Sequence, residues 1–297
     1  MSRDCRQHET APLAERKPRK LVRWARKLGI GALATAGVTW TVIAVGCVRL
    51  ERSTPSFTQS RAEVRTITSR LESAPVELDR PVVLLSGYRA WPSMVGRVER
   101  RIRETTSGDR KDFLEISYPL GDDIDRIVER VVEKVDQRWP SDNPDETIEV
   151  DVIAISMGGL VARAASEPPA IREREGKRLN SVRVFTLASP HRGASLAERI
   201  ALDTAAKSMR PGSEWLSDLN SRVSERDYEL ICYGQLRDGW VGATRTAPPG
   251  MSPYWTGGTR WFSHFDSATN PWFLADIALR LRGERPIARV PSTPPSD

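Results

Sequence analysis

Residues 151–165 read DVIAISMGGLVARAA. Val152 to Ile155 continue an apolar run begun at Ile148 and Val150, the mark of a strand buried on both faces. Ser156 follows, then Met157, Gly158 and Gly159, then the helix-forming run LVARAA. The pattern puts a hydroxyl on a sharp turn between a buried strand and a helix. Bulky side chains two positions either side would strike a neighbouring strand or helix, and Ala154 and Gly158 stand there. Such a turn lifts the serine out of the sheet and aims the first N–H groups of the helix at the same point. The competing reading is an ordinary helix N-cap.

Working outward, PVVLLSGYRAWPS (81–93) reads as a buried strand, Val82 to Leu85, with a turn at Gly87. A helix is expected around Met94–Arg103 and a strand over 112–121. In 124–139 the residues Ile124, Ile127, Val128, Val131, Val132 and Val135 share one helical face. Strands are expected over 181–190 and 227–236, and a closing helix over 270–283 with a glycine stop. Strands alternating with helices imply a mostly parallel sheet covered on both sides, an α/β fold. The expected organisation is a basic tail or signal region (1–27), a hydrophobic segment (28–48), a linker or helix (49–80), the α/β domain (81–283) and a disordered Pro-rich tail (284–297).

A serine needs a base to attack a carbonyl near neutral pH. The chain has three histidines, His8, His191 and His264. His8 lies in the basic tail. His191, in ASPHRGAS, follows a strand, and His264, in RWFSHFDSATNP, precedes the closing helix. In the order nucleophile, acid, histidine, an acid at a strand end is required between Ser156 and His264. Asp238, in ICYGQLRDGWVG, stands there, with Asp218, Asp227 and Asp266 as fallbacks and an ordinary Asp-Gly turn as the plain alternative.

The segments VVLLSGYRAWPS, AISMGGLVAR, LASPHRGAS, MRPGSEWLSDLN, LRDGWVG and SHFDSATNP together resemble lipases and esterases of the α/β-hydrolase fold, close to bacterial lipases and their GPI inositol-deacylase-like relatives. The resemblance covers roughly 81–283. It implies a serine hydrolase of carboxylic esters with Ser156, Asp238 and His264 as its triad. It also implies an oxyanion hole from the N–H of Met157 and from the Gly87–Tyr88 loop. Two departures are visible: Ser86-Gly87 where many relatives have His-Gly, and Ala154-Ile155 where Gly-His is commoner. The same triad also fits acyl transfer, and a catalytically silent binding domain is the reading from another class. Residues 194–226 are longer than a simple return between strands, and form either a cap over the site or a packed helix and loop. Of the aromatics near His264 (Trp255, Trp261, Phe262, Phe265, Trp272, Phe273), most are expected in the core.

Charge excludes a nucleic-acid reading. The net charge is +6, and residues 1–48 carry all of it, with nine lysines and arginines against three acids. A nucleic-acid binder concentrates positive charge on its folded domain. Residues 28–48, LGIGALATAGVTWTVIAVGCV, form an uncharged run of 21, and about 20 apolar residues cross a bilayer. With the basic flank before it, the run is expected to tether the protein to a membrane with the domain on the extracytoplasmic side; a cleaved signal peptide is the rival reading. Small residues before Cys47 suggest a lipoprotein signal with Cys47 as lipidation site; an uncleaved anchor fits as well. Only Cys232 falls in the domain, so no disulfide is expected there. No cysteine or histidine spacing matches a metal site, and no cofactor is expected. The expected partners are a small-molecule or lipid ester and the membrane.

Overall fold

Two sets of side chains alternate along the strands and decide the layering. On strand β1 (Val82–Leu85), Val83 and Leu85 join one core cluster while Val82 and Leu84 join the other. Strand β3 (Val150–Ile155) divides in the same way, Val152 and Ala154 against Ile153 and Ile155. A period of two places alternate side chains on opposite faces, and here both faces are buried. Helices must therefore cover both.

The computed structural model describes residues 54–89, 92–106, 109–118, 123–171, 175–258 and 262–290. Every described residue lies in one compact unit, within Leu50–Asp297. Its sheet has six strands in the order β2-β1-β3-β4-β5-β6, and every adjacent pair is parallel. The remaining strands are β2 (Phe113–Ile116), β4 (Ser181–Leu187), β5 (Glu229–Gln235) and β6 (Tyr254–Thr256). On one face lie α3 (Ile124–Arg138) and α4 (Met157–Ala165). All six aliphatic residues expected on the inner stripe of α3 are buried. On the other face lie α1 (Arg61–Ser73), α2 (Pro92–Glu104) and α9 (Pro271–Leu281), which contribute Leu71, Val98, Ile102, Phe273 and Ile277. This is the α/β-hydrolase fold that the resemblance implied.

Between β4 and β5 the chain runs through three short helices, α5 (Ser195–Arg199), α6 (Thr204–Ser208) and α7 (Glu214–Ser221). The four-residue helix α8 (Ser263–Asp266) precedes α9.

Two boundaries need correction. Residues 61–73, in the stretch read as a linker or helix outside the domain, form a helix with a capping box between Ser60 and Glu63. Val64 and Leu71 are fully buried, and α1 packs against α9. Arg282 ties the end of α1 to the end of α2 by donating to the carbonyl of Ala74 at 2.8 Å and to that of Thr105 at 2.9 Å. The segment after α9 is not free as far as Val290. Buried Asp276 accepts the N–H groups of Ile287 and Ala288, both at 2.7 Å, while its other oxygen accepts from Tyr233 and Arg280. A buried carboxylate needs such donors, and here they come from the segment assigned to a disordered tail. Strand β6 was not expected, and β2 is shorter than the 112–121 assigned from sequence. The run 28–48, with Cys47, lies outside the described residues. Among the described residues no helix is long and apolar enough to cross a membrane.

Candidate active site

Ser156 sits at the carboxyl end of β3 with φ of 52°, a left-handed conformation that a side chain normally avoids. Its N–H donates to Leu187 O at 2.9 Å, tying the turn to β4. Gly158 is required by close approach. A Cβ there would lie 2.5 Å from Ser86 O and 2.9 Å from Leu85 O, both backbone atoms of β1 and its exit. Four described non-glycine residues have positive φ: Arg89, Ser156, Ala188 and Arg237. Each follows the carboxyl end of a different strand, β1, β3, β4 and β5 in turn. Strained backbone gathered on one rim marks a place where the surrounding structure holds side chains in set positions, and open α/β sheets bind ligands at that rim.

Gly158→Ala forces two backbone segments apart. The expected result is a loss of about 1–3 kcal/mol of stability, the usual range for overpacking. Chemical denaturation with the native protein as reference measures it.

The structure brings Ser156, His264 and Asp238 together. Ser156 Oγ is 3.0 Å from His264 Nε2, and His264 Nδ1 is 2.9 Å from Asp238 Oδ2. Asp238 is 3% exposed, and its second oxygen accepts the N–H groups of Trp240 at 2.9 Å and Val241 at 3.0 Å. Burial alone would raise its pKa. The bond from His264 and those from Val241 and Trp240 outweigh burial and hold the carboxyl below its ordinary range. An ionised carboxylate only accepts, so Nδ1 carries the imidazole proton and Nε2 is left to accept from Ser156.

Trp240 was not singled out in the sequence. Its ring lies over the His264 imidazole, with centroids 5.5 Å apart and planes 5° from parallel, and Phe265 meets both rings edge-on. Stacking of this kind limits rotation of the imidazole. The available signal was position, two residues after the candidate acid.

His191 lies elsewhere. It is fully buried, with Nδ1 3.2 Å from Arg163 Nη1 and Nε2 3.0 Å from Thr186 Oγ1. Arginine can only donate, so Nδ1 accepts and the ring is neutral. Burial, then the charges of Arg163 and Arg192, push its pKa well below the ordinary value. Arg163 also donates to Asn220 Oδ1 and Leu219 O, so this network joins α4 to α7. Of the fallback acids, Asp227 pairs with Arg178, and Asp218 and Asp266 are exposed.

The expected oxyanion donors Gly87 and Tyr88 line the same cavity as Ser156 and His264. Met157 opens α4, so its N–H has no partner within the helix. Among the described residues, no backbone acceptor meets the N–H groups of Gly87, Tyr88 or Met157. The cavity measures about 330 Å³ and is lined mainly by apolar groups. Ala194, Leu196, Ala197, Ile200, Ala206 and Met209 form one wall, so the segment between β4 and β5 caps the site. Of the aromatics near His264, Trp255 and Phe273 are core, and Trp272 packs half-buried against the same core. Phe262 and Phe265 are exposed, and Trp261 is outside the described residues.

A family model described as "Putative serine esterase (DUF676)" matches residues 119–219. The match includes Ser156 and most of the cap, and stops before Asp238 and His264. No curated protein matches the chain. Among solved structures, the mature form of the Bacillus licheniformis lipase BlEst2 is 14% identical, with a TM-score of 0.48 over 65% of this chain and 88% of that one. Phospholipase PlaB from Legionella pneumophila, in complex with thio-NAD, is 13% identical, with a TM-score of 0.45 over 57% of this chain and 44% of that one. The metagenomic carboxyl esterase MGS0156 is 15% identical, with a TM-score of 0.42 over 70% and 77%.

Proposed function

We propose that the protein is a serine hydrolase of carboxylic esters, with lipid esters as its substrate class. The observation that carries this reading is the hydrogen-bonded chain Ser156–His264–Asp238, at 3.0 and 2.9 Å, opening into an apolar cavity. His264 Nε2 takes the hydroxyl proton as Ser156 Oγ attacks the acyl carbonyl. Asp238 holds the tautomer and stabilises the imidazolium. The N–H groups of Met157 and of Gly87 or Tyr88 receive the oxyanion, each donor worth about 3 kcal/mol of barrier. His264 then returns the proton to the leaving alcohol, and water releases the acyl group by the same steps in reverse.

Two features support a lipid substrate. The cavity wall is aliphatic, suited to an acyl chain. Three of the lining side chains are also large, apolar and exposed, Ile200 (57%), Trp240 (38%) and Phe265 (41%), and Leu202 and Phe262, close to them in sequence, are exposed as well. Exposed apolar clusters mark interaction surfaces. A series of p-nitrophenyl esters tests the assignment. Medium-chain esters are expected to exceed the acetate in kcat/KM. A rate that falls steadily with chain length contradicts the lipid reading and leaves the esterase reading intact.

The uncharged run 28–48, with nine basic residues before it, supports a membrane tether with the hydrolase on the extracytoplasmic side. Full-length protein is then expected to stay with membranes after a carbonate wash, and protein lacking residues 1–48 to leave them. A Cys47→Ser protein that fractionates and migrates like the native one contradicts lipidation at Cys47.

A further inference from the structure

The geometry points to Asp203 as a positioning residue: through the Tyr88 phenol it holds the candidate oxyanion loop in register with Ser156, so that the cap and the catalytic centre are mechanically joined. This inference rests on the esterase reading and adds a role to a residue 115 positions away from the loop it holds.

The loop after β1 needs holding. Ser86 N–H donates to Ile116 O at 3.1 Å, which fixes the loop's first residue. Beyond it, Arg89 has φ of 51°, a strained conformation that persists only where neighbouring contacts enforce it. Among the described residues, one hydrogen bond leaves 87–89 for another element, from Tyr88 Oη to Asp203 Oδ2 at 2.7 Å. Arg89 adds a longer approach, with Nη2 3.7 Å from the same oxygen, and its guanidinium lies 5.3 Å from the centre of the Tyr88 ring. Burial, then the bond to Asp203, raises the Tyr88 pKa, so the phenol remains the donor.

Asp203 is itself fixed. Its Oδ1 accepts the N–H of Ala206 at 2.9 Å and caps α6. α6 and the residues following it place Ala206 and Met209 against the cavity. One carboxylate therefore serves the cap with one oxygen and the oxyanion loop with the other. Displacing the cap tip, where Ile200 and Leu202 are exposed, pulls on the loop carrying the Gly87 and Tyr88 N–H groups. Oxyanion donors act only when aimed at the developing charge. Losing the phenol bond is therefore expected to lower turnover while leaving substrate affinity nearly unchanged.

Two variants separate this role from folding. Tyr88→Phe removes one hydroxyl and keeps the backbone N–H. Asp203→Ser keeps a capping oxygen for α6 but is too short to reach Tyr88. Each is expected to lower kcat on a soluble short-chain ester about tenfold, less than the ~100-fold or more that follows complete loss of a donor. KM should stay within about twofold, and the double variant should be no slower than the slower single one, as expected of two residues in one interaction. Unchanged kcat in Tyr88→Phe, with Ser156→Ala inactive, overturns the positioning role and leaves the esterase reading standing. So does a rise in KM alone, or a double variant slowed by the product of the single effects. Native protein inactive on every ester overturns both.

Discussion

Ser156→Ala is expected to lower ester turnover by at least about 10⁴-fold while leaving the thermal midpoint within a few degrees of the native value. The magnitude follows from the loss of the group that forms the covalent bond, which leaves only the oxyanion donors and substrate positioning to assist water. Stability should change little because the hydroxyl makes one described side-chain bond, to His264. The strained backbone at 156 is retained with alanine, so neither a large gain nor a large loss of stability follows. Steady-state hydrolysis alongside a melting curve measures both quantities. Residual activity within tenfold of native would remove Ser156 from the mechanism.

The second large effect is expected from Asp238→Asn, about 10⁴-fold in kcat, through the tautomer of His264. In the native site Asp238 Oδ1 accepts from Trp240 and Val241 and Oδ2 faces His264 Nδ1. An asparagine that keeps its carbonyl on the two backbone donors must turn its NH₂ toward Nδ1. Nδ1 then accepts, the ring proton moves to Nε2, and nothing remains to take the proton of Ser156. Affinity for substrate should be nearly unchanged. A kcat within tenfold of native would show that His264 needs no carboxylate at Nδ1.

Acid stability carries the same signature. The Asp238 carboxyl is held below its ordinary value in the folded state. Its contribution is therefore present above the unfolded-chain pKa and is lost as pH falls through the lower folded value. Asp238→Asn has no such contribution to lose, so its stability should vary less with pH across that window.

The sequence disclosed the parts whose pattern is local. The six aliphatic residues of α3 repeat at helical spacing, and all six are buried. The junction around Ser156 was legible because a buried strand, a hydroxyl and two glycines follow one another without a gap. His264 and Asp238 were reachable through chain order, and the structure places both beside Ser156. His191 had equal claim by residue type. Chain order disfavoured it, since few acids at a strand end lie between Ser156 and His191, and the structure places it in contact with Arg163 and Thr186, which no local pattern encodes.

What escaped was long-range or sparse. Helix α1 buries only Val64 and Leu71 fully, seven residues apart in a polar stretch, too thin a stripe to distinguish from a linker. Strand β6 is three residues long between prolines and glycines. The segment 284–290 owes its place to Asp276, which reads in sequence as a polar residue in an apolar helix. Trp240 over the imidazole, and Asp203 beneath the Tyr88 phenol, exist only once the fold has brought distant loops together.

The mechanism rests most directly on the reactivity of one hydroxyl. Native protein treated with a fluorophosphonate and digested is expected to carry the phosphonyl group on the peptide containing Ser156, with labelling lost on heat unfolding. Folded protein that takes up no label, or takes it up on a serine other than Ser156, would contradict it.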